Sequence, residues 1–348
     1  MAEIKEFRAL RFTEKAGEIG ELCCPPYDII SAEERLEYLS KNANNIIKLE
    51  APDQTPEGYQ GAAGELARRI NEGVMAQDET PALYIYEESF TVKGKSYSFR
   101  GVSAYVKLHE FSEGIILPHE HTLSKAKSDR LNLLKATGCS FSQIYSLYNN
   151  ENGEIPRLIA ELSSGKPDAE FTDGEGVTHR MWIARKSEKT AELCALFGDK
   201  KLYIADGHHR YETALNFRRF AKENGCENEN TDYIMMFLVD MQNAGLVVFP
   251  THRVILGVEG FEGAKLLESA KKYFTVEKTQ GEIEALLEKE YNEDKTAFGY
   301  YDGKETYLLT LKDKGVLADL LPDMGEALRN LDVTVLHSLL LEGVLGID

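Results

Sequence analysis

Short blocks of patterned hydrophobicity run the length of the chain. Ser31-Ala-Glu-Glu34 has the spacing of a capping box and predicts a helix over 32–41. Residues 55–75, amphipathic and rich in Ala, Glu and Arg, predict a second helix. Two strand-like runs, 82–90 and 97–108, flank Lys93-Gly94-Lys95 and predict an antiparallel pair. Further along, helices are predicted over 128–136 and 154–162, with strands over 143–148 and 179–184. The run 201–205 reads as a short buried strand that feeds a helix over 209–224. A strand over 246–254, helices over 262–273 and 281–290, and a hairpin of 298–301 with 307–311 follow, and 333–345 has helical periodicity. Residues 45–50 read as a strand-like run ending in Glu50. Because strands and helices mix without strict alternation, the predicted class is mixed α/β (α+β).

The Gly/Asp/Pro/Ser-rich stretch 164–177 predicts the joint between two parts. The first, 1–165, carries the Pro118-His-Glu-His-Thr122 loop. The second, 166–348, carries Asp206-Gly-His-His-Arg210, and the two are expected to form one joint site. The most apolar stretches, 234–239 and 335–347, are too short or too interrupted to span a bilayer. Lys and Arg number 40 against 58 Asp and Glu, a net charge of −18. That balance disfavours a nucleic-acid partner, whose phosphates demand cations, but leaves room for a local cationic pocket. Five cysteines without a CxxC pair argue against a zinc ribbon or disulfide framework, and MAEIKEF lacks the features of a signal peptide. Both point to the cytoplasm. Cys23 and Cys24 read as small buried residues beside the Pro25-Pro26 turn.

Five of the eight histidines fall in three segments: His119 and His121, His208 and His209, and His252. In the second, an apolar strand runs into Asp206-Gly207 and a helix starts at once. Free amides at that helix start, with the positive end of its dipole, form an anion site. Arg210 adds a bidentate donor for phosphate or carboxylate. Asp206 is placed either to cap the helix or to hold Mg²⁺ on phosphate oxygens. In the first segment Glu120 is a candidate general base, and Lys125, Lys127 and Arg130 are candidates to neutralise a di- or triphosphate. Thr251-His-Arg253 would bring a second arginine. His119 and His121 also support a rival reading, in which they ligate Zn²⁺ or Mn²⁺ together with His208, His209 or His252 in a metal-dependent hydrolase.

The segments PPYDII, LPHEHT with the downstream Lys127-x-Asp129-Arg130, LYIADGHHRYETAL and PTHR together resemble domain-of-unknown-function family 1015. PHE followed by DGHHR also resembles the motif pair of ParB-like free serine kinases, within the ParB/sulfiredoxin group. That second resemblance implies a ParB/sulfiredoxin-like core with large insertions and a C-terminal α/β region. It places nucleotide phosphates at Gly207–Arg210 and a catalytic carboxylate at Glu120. The catalytic cysteine of sulfiredoxin has no counterpart, because Gly207 is followed by His208.

The expected function is therefore phosphotransfer from a Mg²⁺-bound nucleoside di- or triphosphate to a small hydroxylated metabolite, with free serine as one acceptor. His119, Glu120, His208 and His209 are the catalytic candidates. Asp206, Gly207, Arg210, Lys125, Arg130 and Arg253 are the cofactor-binding candidates, with Asp206 and His121 as metal ligands. The alternatives are the metal-dependent phosphoesterase and a nucleotide-binding regulator without turnover.

Overall fold

A computed structural model describes residues 1–120, 124–248 and 252–347, apart from the side chains of 124–126. It has two compact units, Met1–Phe249 and Pro250–Asp348. The first unit carries strands β1 (Ile4–Lys5), β2 (Leu10–Phe12), β3 (Met75–Gln77), β4 (Ala82–Val92), β5 (Lys95–Lys107), β6 (Ile116–Leu117), β7 (Ile144–Tyr148), β8 (Ala169–Thr172), β9 (Thr178–Arg185), β10 (Leu202–Asp206) and β11 (Tyr233–Asp240). Its helices are α1 (Ile19–Leu22), α2 (Ala32–Lys41), α3 (Ile47–Glu50), α4 (Pro56–Asn71), α5 (Ser124–Thr137), α6 (Glu154–Leu162), α7 (Glu188–Leu196) and α8 (His208–Asn224). The fold is mixed α/β.

The main sheet is open, in the order β6-β10-β7-β11-β5-β4-β9-β8, with β1 also paired to β5. β6 and β10 run parallel, as do β7 and β11, and the remaining neighbours are antiparallel. Parallel pairing of β6 with β10 brings their C-terminal ends together. One ends at Leu117, just before Pro118-His119-Glu120, and the other at Asp206, just before Gly207. Ile85, Val102, Ile144, Leu202, Ile204 and Met236 build the core from the sheet side. Tyr211, Ala214 and Leu215 of α8 meet them, spaced as one helical face requires. Gly101 lets β11 approach closely, since a Cβ there would lie 2.5 Å from the Leu238 carbonyl oxygen.

Local chemistry accounts for several boundaries. The Ser31 hydroxyl accepts from the Glu34 amide, and the Glu34 carboxylate accepts from the Ser31 amide, which starts α2 at Ala32. The β4–β5 hairpin turns through Lys93 and Gly94, both with positive φ, as a tight two-residue turn requires. Where the sequence suggests a joint at 164–177, the structure has β8, a turn and β9, joined to β4 in the same sheet. The division between compact units falls instead at 249/250. Residues 47–50, expected as an extended run, are helical. The described part of 246–254, residues 246–248 and 252–254, forms no strand.

In the second unit, β12 (Phe274–Thr279), β13 (Ala297–Tyr301) and β14 (Thr306–Leu311) form an antiparallel sheet in the order β12-β14-β13. With α9 (Gly263–Ala270), α10 (Ile283–Asn292) and a C-terminal helical stretch, it buries Phe274, Leu309, Val335 and Leu339. No helix among the described residues is long and apolar enough to cross a membrane.

Candidate functional site

At the paired ends of β6 and β10, His119, Glu120 and His208 bring one ligand atom each within 4.8 Å of one another. His208 is buried, whereas His119 and Glu120 are exposed. The hydrogen bonds assign the imidazole tautomers. Nδ1 of His119 lies 2.8 Å from the Ile204 carbonyl oxygen, which can only accept, so the proton sits on Nδ1. The Nε2 lone pair of His119 is then free, 3.8 Å from Glu120 Oε1. A carbonyl behind one ring nitrogen is the support that orients metal-ligating histidines.

His208 is held through its other nitrogen. Its Nε2 accepts the His119 amide at 3.2 Å, and its Nδ1 lies 3.4 Å from Glu120 Oε2. Burial, reinforced by the neighbouring His119, pushes its pKa below the ordinary histidine value. The neutral ring therefore carries its proton on Nδ1, toward Glu120. Two donors, His119 Nε2 and the Glu120 carboxylate, are ready for a cation. His208 joins them only if it releases the His119 amide.

Beside this group, α8 begins at Gly207, whose φ is +94°. Among the described residues no side chain caps the 17-residue helix, and no acidic residue stands in its first turn. Its leading amides are oriented for an anion. Arg210 is folded back over Gly207, donating to the Asp206 carboxylate and the Gln143 carbonyl. Asp206 and Arg210 thus satisfy each other. An anion at the turn would meet their combined field rather than an unpaired guanidinium.

Other candidates lie elsewhere. Arg130 is buried: Nε and Nη2 donate to Asp129, Nη1 donates to the Glu50 carbonyl, and the Tyr27 ring lies 3.8 Å from the guanidinium. Lys127 pairs with Glu212 at 2.6 Å. His209 is half-buried in the first turn of α8, outside the three-residue group. His252 and Arg253 belong to the second compact unit. His121 lies outside the described residues, as does the Lys125 side chain. Cys23 and Cys24 are half-buried free thiols, pushed up by burial to about 11 and about 12, and so are protonated and unreactive at neutral pH.

Sequence reasoning gave no role to Glu50. It is buried, accepts a hydrogen bond from the Ser142 hydroxyl, and is held above the usual carboxylate range by desolvation. The available signal was its position in an apolar run, Ile46-Ile-Lys-Leu-Glu50, where an isolated carboxylate is out of place.

No curated protein and no solved structure matches this chain. A family model described as "Protein of unknown function (DUF1015)" matches residues 4–334, and the chain belongs to that family.

Proposed function

We propose that the protein is a metal-dependent phosphoesterase acting on phosphate monoesters of small metabolites at the ends of β6 and β10. The observation that carries this reading is the convergence of His119, Glu120 and His208 donor atoms within 4.8 Å, beside the uncapped start of α8. His119 Nε2 and Glu120 would hold the ion, with His208 joining through Nδ1 once its proton moves to Nε2 and the His119 amide is released. Imidazole with carboxylate suits Zn²⁺ or Mn²⁺. Such an ion supplies charge neutralisation at phosphoryl oxygens and a more acidic bound water. The protein supplies the rest. The Ile204 carbonyl fixes the His119 ring, and the leading amides of α8 receive the phosphate oxygens. The Asp206–Arg210 pair keeps the turn rigid beneath them.

The test is metal content after loading with Mn²⁺ or Zn²⁺, together with hydrolysis of p-nitrophenyl phosphate. Wild type is expected to retain metal and hydrolyse the ester. His119→Ala should lose metal affinity by roughly 10- to 100-fold or more, as loss of a metal-site residue does. A wild-type protein that retains no divalent metal and releases no nitrophenol would overturn the reading.

One observation favours a second reading. The His208 Nδ1 proton faces Glu120 and would hold that carboxylate as proton acceptor for a substrate hydroxyl. This suits nucleotide-dependent phosphotransfer of the ParB-like kind, with Mg²⁺-nucleotide phosphates on the Gly207–Arg210 turn and free serine among the acceptors. ATP titration separates the two readings. The kinase requires nucleotide, and Glu120→Gln should abolish its rate while preserving nucleotide affinity; the esterase turns over without nucleotide.

A further inference from the structure

We propose that the cavity at Glu50 is the receptor for a primary ammonium group, so that the substrate of the α8 site is a small aminoalkyl phosphate. This rests on the reading of the α8 N-terminus as the phosphate end of the site. A cavity of about 40 Å³ is lined by Glu50, Arg130, Ser140, Ser142, Arg210 and Thr213, among others. Arg210 belongs to both places, standing in the first turn of α8 and in the cavity wall.

The charge inventory identifies the missing partner. Arg130 is neutralised by Asp129, whose other oxygen accepts from the Tyr59 hydroxyl at 2.6 Å. Arg210 is neutralised by Asp206. Neither guanidinium donates to the Glu50 carboxylate: Arg130 takes the Glu50 main-chain carbonyl, and Arg210 the Gln143 carbonyl. Glu50 is 5% exposed, and its carboxylate has only the neutral Ser142 hydroxyl as donor among the described residues. The charges of Arg130 and Arg210 favour the Glu50 carboxylate through space without bonding it, Asp28 opposes them, and desolvation outweighs both, so the carboxylate stays above its ordinary range. A buried carboxylate that no cation bonds directly is unfavourable unless it is protonated or a ligand supplies a charged donor.

Size and chemistry then narrow the occupant. About 40 Å³ admits one or two water-sized groups. That is too little for a guanidinium, and one carboxylate with two serine hydroxyls is a poor shell for a hard divalent ion, which takes six or more oxygens. An ammonium group is compact, carries three donors, and matches one carboxylate and two hydroxyl oxygens.

Calorimetric titration of the full chain with 2-aminoethyl phosphate and 2-hydroxyethyl phosphate tests this, alongside methylammonium against methanol. Wild type is expected to prefer the amine of the ester pair by roughly tenfold, the equivalent of about 1.4 kcal/mol. It should also bind methylammonium at millimolar concentration and methanol not at all. Glu50→Gln should reduce the ester preference to unity. Equal binding of both esters by wild type, or an amine preference that survives in a folded Glu50→Gln protein, overturns the inference and leaves the phosphate reading intact. Should neither ester bind while methylammonium still binds in a Glu50-dependent way, the phosphate reading falls and the ammonium receptor stands. If Glu50→Gln does not fold, the wild-type comparison of methylammonium with methanol decides: equal binding, or none by either, overturns the receptor.

Discussion

Tyr211→Phe isolates one hydroxyl that fastens the site to the sheet. Tyr211 is fully buried on α8, and its ring stacks on Phe111 with centroids 5.3 Å apart. Its hydroxyl accepts the His109 amide at 2.9 Å and donates to the His109 carbonyl at 2.8 Å. Residue 109 follows β5 and precedes β6, so this pair of bonds ties the strand leading to His119 to the helix bearing His208. Phenylalanine keeps the ring and its packing, leaving a backbone donor and acceptor without partners. Two neutral hydrogen bonds contribute about 1 kcal/mol each, and stranding the backbone groups adds to that, for a loss of about 2–4 kcal/mol. In a unit of this size the melting temperature should fall by roughly 5–15 °C, read by calorimetry at neutral pH. A fall of less than about 1 °C would refute the argument that this hydroxyl anchors α8.

Three further outcomes follow from other parts of the fold. Gly207→Ala forces a Cβ onto a residue at φ +94° and 3.0 Å from Arg210 Nε; it should destabilise by about 1–2 kcal/mol and weaken inorganic phosphate binding, measured by thermal shift and titration. Arg69→Met removes a fully buried guanidinium that donates to Glu65 and to the carbonyls of Asn44 and Asn45; a loss of about 3 kcal/mol is expected in urea denaturation. Burial raises the pKa of Glu50 above 4.5, so its contribution is fully present below that value and is lost as pH rises through the folded-state pKa. Glu50→Gln should therefore gain on wild type as pH rises above 4.5, and parallel melting curves from pH 4 to 8 would contradict the assignment.

Much of the architecture was legible because local chemistry and fold agree. The capping box at Ser31, the Lys93-Gly94 turn and the strand–Gly207–helix junction each state a backbone geometry in two or three residues. β11 was not legible as a strand. Phe237 to Asp240 are buried without interruption, so the central strand lacks the alternation that marks a half-exposed one. The segment 164–177 was misleading for a related reason, because Gly, Asp and Ser specify a hairpin turn as readily as a linker. Here Asp173 caps its own turn by accepting from the amides of Glu175 and Val177.

The site divides along the same line between local and distant information. His119, Glu120 and His208 stand in short motifs whose placement at strand ends follows from the local pattern, and the structure brings those three together. What a linear reading lacks is the partner of each charge. Arg130 reads as a phosphate ligand until the aromatic ring from residue 27 and the carbonyl from residue 50 are seen to consume it. Glu50 reads as nothing until the same folding that satisfies Arg130 and Arg210 leaves its carboxylate with one neutral donor among the described residues. Pairing one cation thus exposes the deficit of another group. The chemistry of this cavity is a property of the fold's charge inventory, carried by contacts spanning some 90 positions between Glu50 and Ser142.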